Sequence, residues 1–316
     1  MTLFNNITKI LGAVGAVGDI ASNALYGIVN LITGVDLRLS EDSKKIILEK
    51  RQELVKSGEI SYIEFLRLNN CEKIATKADE ILQQKRQKTN HQNTKLDIDD
   101  FDWFVRFFED CSLISNDFMQ DIWANILAGK LENASGYSRR TLDVVKNLSQ
   151  KEVSLFEQFL PFCLYRYDNV VFYNIGDDLC DKYGFDENLI RDLHECGLLS
   201  ISDMQFTFDE TMQQATLMWH NQDLIAIFHS DSPVMRKINL QMHRLTVPGK
   251  ELISCVKNVA PNNDYFEYVC KDIANNHRAT SMDSAKNGFT IDIKKYVKKT
   301  DGKYGYNSDI SKTYPF

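Results

Sequence analysis

Residues 117–133 read "DFMQDIWANILAGKLEN", and this stretch decides the fold class of the middle of the chain. Its apolar residues recur at i, i+4, i+5, i+8 and i+9: Phe118, Ile122, Trp123, Ile126 and Leu127. Because that spacing places the side chains along one face of a helix, it predicts an amphipathic α-helix. Ser115 is the candidate N-cap, and Gly129 is predicted to end the helix nearby.

Helical patterns continue on both sides of this stretch. Upstream, Ser40 and Ser61 are candidate N-caps of two further helices, and Gly58 ends the first of them. The aromatic run "FDWFVRFFEDCSLI" from Phe101 predicts another helix, and two more follow in "RRTLDVVKNL" and "KEVSLFEQFLPFC". We therefore predict an amphipathic helix, a helical region, a linker rich in Asn and Gln, and a helical domain, over residues 1–36, 37–90, 91–96 and 97–165.

Beyond residue 165 the pattern changes to short β-rich pieces interleaved with a helical segment that ends at Gly197. A strand then leads through Thr246, Pro248 and Gly249 into another helix. This order predicts a winged-helix-like mixed domain over residues 166–293, followed by a basic polar tail over 294–316. The predicted fold class is α+β, mostly α.

The region around residues 117–159 resembles an uncharacterised bacterial family with the pattern Met-Gln-x-x-Trp-x-x-Ile-Leu-Ala-Gly, followed by Ser-x-Arg-Thr-Leu and Lys-Asn-Leu-Ser. Here the pattern runs from Met119 to Gly129 and from Ser138 to Ser149, and "RLTVPGKELI" at Arg244–Ile253 is similar to that family's C-terminal signature. The resemblance implies that four pattern residues belong to the core of that pattern: Gln120, Trp123, Gly129 and Arg140.

A looser similarity links the same helices to the Abi-alpha abortive-infection proteins. It rests on the Trp and Leu-Ala-rich helix, on an upstream Arg-x-x-Asn (Arg67 and Asn70) and on an N-terminus rich in small residues. This similarity implies a role in phage defence. Neither resemblance implies catalytic residues.

The N-terminal stretch "KILGAVGAVGDIASNALYGIVNLITG", residues 9–34, forms an amphipathic pattern when placed on a helix. One stripe is apolar, and the residues that we expect to face a membrane are Ile10, Val14, Val17, Leu25, Ile28 and Ile32. The opposite stripe is small and polar, and we expect it to assemble helices or line a lumen through Gly12, Gly15, Asp19, Asn23, Tyr26 and Asn30.

Three interpretations of this stretch remain open. It is a helix that binds or permeabilises a membrane as an oligomer, a helix packed on its own domain or bundled with other copies, or a single-pass anchor. A lone span is disfavoured because Asp19 near mid-depth costs about 2.5–3.5 kcal/mol on insertion scales.

The remaining chain offers little chemistry. A net charge of −7 argues against a surface dedicated to nucleic acid. The seven cysteines include no CxxC pair, and with no cleavable signal sequence they are expected to be reduced. No histidine spacing indicates a metal site, and the acidic run near Asp99 is better explained by helix capping. No catalytic residue, metal or cofactor is therefore expected.

One further spacing has a catalytic counterpart in other proteins. Arg236 and His243 have the separation with which HEPN ribonucleases bring the two residue types together on a helix. Here "RKINLQMH" is predicted to be a strand, on which the two side chains would not converge.

We therefore expect a non-enzymatic bacterial antiphage or abortive-infection component, located in the cytoplasm and at the inner membrane. Its expected partners are other copies of itself, inner-membrane lipid, and a protein trigger or operon partner, with nucleic acid disfavoured. The alternative is a soluble oligomeric interaction or adaptor protein whose winged-helix-like part binds a protein or, as the lesser alternative, nucleic acid.

Overall fold

The computed structural model describes twelve stretches of the chain: residues 25–30, 36–87, 98–133, 135–166, 169–173, 182–183, 187–208, 217–230, 236–256, 259–276, 289–298 and 304–315. The chain divides into two compact units. Unit 1 comprises Met1–Gln150 and Glu251–Val256, and unit 2 comprises Lys151–Lys250 and Lys257–Phe316. The predicted boundary at residue 165 was therefore wrong, because Phe159 already packs against Phe172 of unit 2, with ring centroids 5.1 Å apart.

Unit 1 is helical in its described residues. Besides a helical segment at residues 25–30, its helices are α1 (Glu41–Ser57), α2 (Tyr62–Arg86), α3 (Ile98–Cys111), α4 (Asp117–Glu132) and α5 (Arg139–Val145). The predicted linker at residues 91–96 lies outside the described residues.

The helix ends follow local chemistry. The Ser40 hydroxyl accepts from the Ser43 amide, and Ser61 forms a capping box with Glu64. Gly58 ends α1 in the left-handed region, at φ 79°. The prediction of Ser115 as the cap of α4 was wrong: because the first helical residue is Asp117, the cap position falls on Asn116, whose side chain accepts from the Met119 amide.

An aromatic cluster on α3 and α4 forms the centre of unit 1. Trp103 stacks on Phe107, and Phe107 meets Trp123 edge-on, each pair with centroids 5.2 Å apart. All three rings are buried. The predicted aromatic face of α3 and the apolar face of α4 therefore meet each other.

Unit 2 joins an antiparallel sheet to helices. Its helices are α6 (Gln150–Phe159), which begins at the last residue of unit 1, α7 (Glu187–Glu195), α8 (Val247–Leu252), whose last two residues return to unit 1, and α9 (Asn263–Asn276). Short 3₁₀ turns follow α6 at Leu160–Phe162 and α8 at Ile253–Cys255.

The described strands form one eight-stranded sheet in the order β3-β6-β2-β1-β4-β5-β7-β8, with antiparallel pairing throughout. They are β1 (Leu164–Arg166), β2 (Asn169–Phe172), β3 (Leu199–Phe208), β4 (Leu217–His220), β5 (Leu224–Ser230), β6 (Arg236–Leu245), β7 (Phe289–Lys298) and β8 (Tyr304–Pro315). Helices hold more of the described residues than strands do, so the α+β, mostly α fold class is confirmed.

The turn before β3 resembles the predicted one. Gly197 follows α7 with φ 79°, and the Thr246 hydroxyl donates to its carbonyl oxygen at 2.6 Å. A Cβ on Gly249 would lie 2.4 Å from the Leu198 carbonyl oxygen, so glycine is required there. The helix, the strands and the following helix therefore occur in the predicted order. The strands, however, belong to a sheet of eight strands. The winged-helix arrangement stays a prediction.

The prediction of a basic polar tail over residues 294–316 was wrong. Lys294 and Lys295 lie within β7, and the chain returns as β8. Alternation explains the difference, because the buried residues Ile291 and Ile293 face the opposite side from their neighbours and give β7 an apolar face.

His220 is buried at the end of β4. Its ring stacks between Tyr165 and Tyr296, with centroid distances of 5.4 and 4.3 Å, and its Nδ1 accepts from the Gln222 amide. Burial disfavours the charged imidazole and lowers the pKa of His220 to about 4. The folded protein therefore resists protonation at a pH at which the unfolded chain accepts a proton.

This difference predicts acid sensitivity. As pH falls below 6.5, the unfolded imidazole binds a proton that folded His220 does not bind until pH 4 is approached. His220 alone should remove about 2 kcal/mol of unfolding free energy between about pH 7.5 and about pH 5. Urea denaturation of the full chain at the two pH values, followed by a signal from unit 2, measures this loss of unfolding free energy.

The comparison variant is His220→Asn, which keeps a hydrogen-bond acceptor and cannot titrate. It should lose about 2 kcal/mol less than the unaltered protein over the same pH interval. An equal loss in both proteins would contradict the assignment to His220.

Candidate functional site

Two buried amides join α2 to α4 and to the turn that precedes α4. Gln120 is fully buried, and its Nε2 donates to the Ile114 carbonyl at 2.9 Å and to Asn70 Oδ1 at 3.4 Å. Asn70 in turn donates to the Ser112 carbonyl at 2.9 Å. The two side chains thus donate hydrogen bonds to carbonyl groups that follow α3. Gln120 of the family pattern and Asn70 of the looser similarity therefore stabilise the same turn.

Trp123 is also fully buried, in the aromatic cluster described above. Its indole nitrogen and the Gln120 Oε1 atom are buried, and neither has a hydrogen-bond partner among the described residues. Lys130, on the same helix, is only 7% exposed and holds its ammonium over the Trp103 ring, 5.4 Å from the centroid. The side chains of Gln120 and Trp123 on α4 therefore both point into the core of unit 1.

Gly129 is explained by one neighbour. A Cβ at this position would lie 2.3 Å from Cε2 of Tyr137, a buried ring whose backbone has a left-handed φ of 54°. The Tyr137 hydroxyl lies 2.7 Å from Ser254 Oγ and 3.3 Å from Cys255 Sγ, so the ring cannot easily move. Gly129 therefore does not end α4, which continues to Glu132; it makes room for the tyrosine.

The two parts of the family pattern meet at Glu251. Its carboxylate accepts from the Ser138 amide at 2.8 Å and from the Thr141 hydroxyl, while the Ser138 side chain caps α5. Ser138 and Thr141 belong to the Ser-x-Arg-Thr motif, and Glu251 belongs to the C-terminal signature. Arg140, between them, is exposed, so its assignment to the core was wrong: capping turns Ser138 and Thr141 inward and leaves Arg140 on the outer side.

The described part of the N-terminal stretch, residues 25–30, has buried apolar side chains and one hydrogen bond to α2. Leu25, Ile28 and Val29 are 0, 4 and 0% exposed. On the polar side, the Tyr26 hydroxyl donates to Asp79 Oδ1 at 2.9 Å, and Gln83 donates to the other oxygen of the same carboxylate at 2.7 Å. Leu25 and Ile28, two of the residues expected to face lipid, are therefore buried in this conformation, and their contact with a membrane stays a prediction.

The other predicted residues of this stretch divide into two groups. Asn30 is exposed. Eight positions lie outside the described residues: Ile10, Gly12, Val14, Gly15, Val17, Asp19, Asn23 and Ile32. In the stretches that the structure describes, no helix combines the length and apolar composition that a membrane span requires.

The structure also places the residues that were considered for catalysis. Arg236 and His243 lie on β6, as the strand prediction held, and His243 meets His194 of α7 instead. One imidazole donates to the other through His194 Nε2 and His243 Nδ1, 2.7 Å apart. Burial lowers the pKa of both rings, and His194 adds to the effect on His243.

Among the residues that the structure describes, this pair has no third side chain of the kind that a metal site needs. Across the described ranges, no three His, Cys, Asp or Glu side chains form a group that could hold a metal ion. The histidine contact was missed by sequence reasoning because it joins residues 49 positions apart. Glu251 was missed for the same reason, although its place in the C-terminal signature was a usable signal.

The close approach of Tyr137 to Gly129 predicts that replacing this helix glycine by alanine destabilises the protein. In a helix interior, Gly→Ala normally stabilises by about 1 kcal/mol. Here the added methyl group overlaps the fixed Tyr137 ring, so Gly129→Ala should instead lower the unfolding free energy by about 1–3 kcal/mol. Urea denaturation checks the sign.

A double-mutant cycle supplies the control. In a Tyr137→Leu background the ring is absent, so the added Gly129→Ala change should be neutral or stabilising. A loss of the same size in both backgrounds would show that Tyr137 is not the cause.

Comparison with known proteins places the chain in a family. A family model described as "Protein of unknown function (DUF2806)" matches residues 60–270, which is more than half of the chain and includes both parts of the pattern. No curated protein and no solved structure matches. The looser similarity to Abi-alpha proteins is not confirmed. The chain belongs to the DUF2806 family of proteins of unknown function.

Proposed function

We propose that the protein is a non-enzymatic antiphage or abortive-infection component that stores a membrane-active N-terminal helix on unit 1. On receiving a trigger it releases the helix to the inner membrane, where several copies act together. The observation that carries the proposal is that Leu25 and Ile28, two residues of an apolar stripe suited to lipid, are buried.

Storage of this kind fits the composition of the stretch. Its polar stripe is small and almost uncharged, unlike the charged outer face of an ordinary surface helix. A permanently exposed apolar stripe would cause aggregation, so a membrane-active segment needs cover until it acts. In the structure Leu25 and Ile28 are buried, and Asp79 of α2 accepts a hydrogen bond from the Tyr26 hydroxyl of the same segment.

The defence role derives from the resemblance to abortive-infection proteins. In such a mechanism the rest of the chain senses the trigger or holds the assembly. Small residues spaced three and four apart would let released helices approach each other closely. No enzymatic step is required.

Burial of the same residues also favours the alternative function. If the segment never leaves α2, the chain is a soluble interaction or adaptor protein. Its winged-helix-like part would then bind a protein partner or, as the lesser alternative, nucleic acid. The two functions differ in whether lipid ever meets residues 1–35.

Dye leakage from vesicles of phosphatidylethanolamine and phosphatidylglycerol distinguishes them. Asp79→Ala removes the acceptor of the Tyr26 hydroxyl, and the released helix should raise the leakage rate about tenfold or more above that of the unaltered protein. A variant that lacks residues 1–35 should cause none.

The matched control is Asp121→Ala, which removes an exposed carboxylate that accepts from Lys77. It should leave the leakage rate unchanged. If neither the unaltered protein nor Asp79→Ala releases dye or binds the vesicles, the membrane function is rejected in favour of the adaptor.

A further inference from the structure

The α1 helix is held on unit 1 with little burial. None of the residues Glu41–Ser57 is buried, and Ile46 is 65% exposed. The apolar residues Ile47, Leu48, Leu54 and Val55 are only half-buried, so α1 gains less than usual from packing, which is the main source of helix stability in proteins. Some other contact must therefore contribute to keeping α1 on α2.

That contact is an ion pair. Arg51 Nη1 donates to Glu72 Oε1 at 2.5 Å, and the two side chains are only 12 and 21% exposed. Burial raises the pKa of Glu72, while Arg51 and, more weakly, Lys44 lower it. Both of these cations lie on α1, so the carboxylate depends on α1 for its compensating charge.

Glu72 and Asp79 mark one side of α2. They are seven residues apart, which is close to two helical turns, so their side chains leave α2 in nearly the same direction. Glu72 holds α1, and Asp79 holds residues 25–30 through Tyr26. The chain before α2 is therefore attached along a single line of α2.

The contacts to α4 leave from the other side of α2. Asn70 meets Gln120, and Lys77 donates to Asp121 Oδ1 at 2.7 Å. At 100° per residue, Asn70 and Lys77 point roughly 140–180° away from Glu72 and Asp79. Contacts on one side can therefore break while those on the other side persist.

We infer that the helical segment 25–30 and residues 36–57 form a detachable strap, which is locked on α2 by Arg51–Glu72 and Tyr26–Asp79. Opening of the strap exposes Leu25, Ile28 and Val29 without unfolding α2, α3 or α4. The biological purpose of the opening, release of the N-terminal stretch, rests on the proposed function. The opening itself does not.

Hydrogen exchange of the full chain, followed by mass spectrometry without vesicles, tests the strap. Peptides from α1 and residues 25–30 should exchange through an opening that leaves α4 protected. Arg51→Met keeps the apolar stem and removes the charge, and it should speed exchange in α1 about tenfold while α4 exchanges at its original rate.

Lys50→Met is the matched control. Lys50 lies next to Arg51 but pairs with Glu53 of the same helix, with both side chains more than 60% exposed. Its loss should leave exchange in the strap nearly unchanged. If Arg51→Met does not fold, Tyr26→Phe removes only the hydroxyl donor and should speed exchange of residues 25–30.

The inference is overturned if α1 and α4 of the unaltered protein exchange at the same slow rate, or if Arg51→Met accelerates both equally. Either result would mean that the strap opens only with global unfolding. The proposed function fails separately: a strap that opens in this way while vesicles stay intact leaves the inference standing and removes the membrane role.

Discussion

The Asn70 and Gln120 amides lie buried between α2 and α4, and their NH₂ groups need hydrogen-bond acceptors from the protein because water does not reach them. They find these partners in each other and in the carbonyl groups of Ser112 and Ile114. This constraint fixes the turn between α3 and α4. It thereby brings the aromatic face of α3 onto Trp123.

The two sides of α2 make different kinds of contact. One side is tied into the core of unit 1 through Asn70, and the other carries Glu72 and Asp79, which hold elements that precede α2 in the chain. The core contact is buried and neutral, whereas the outer contacts involve carboxylates near solvent. Loss of a charge on Arg51 or Glu72 should therefore weaken the outer contacts of α2 without weakening the amide contact between Asn70 and Gln120.

A second long-range contact accounts for the family pattern. Glu251 is separated from Ser138 by 113 positions, yet its carboxylate accepts a hydrogen bond from the Ser138 amide, at the start of α5. Tyr137, next to Ser138, fills the space that Gly129 leaves. The segment Glu251–Val256, in which the C-terminal signature ends, is thus part of unit 1, because the Glu251 carboxylate and the neighbouring Ser254 and Cys255 complete the surroundings of Tyr137 and α5.

Local patterns in the sequence determined the helices of unit 1, several of their caps, the strand nature of residues 236–243 and the mixed α+β class, because helix capping and apolar periodicity act over a few residues. They did not determine where units begin and end, that Lys294 and Lys295 lie in a sheet, that Arg140 is exposed, or that His194 meets His243. These features depend on partners far away in the chain. Only the tertiary structure decided that Leu25 and Ile28 are covered, since an apolar stripe fits protein and lipid equally well until a surface such as α2 is placed beside it.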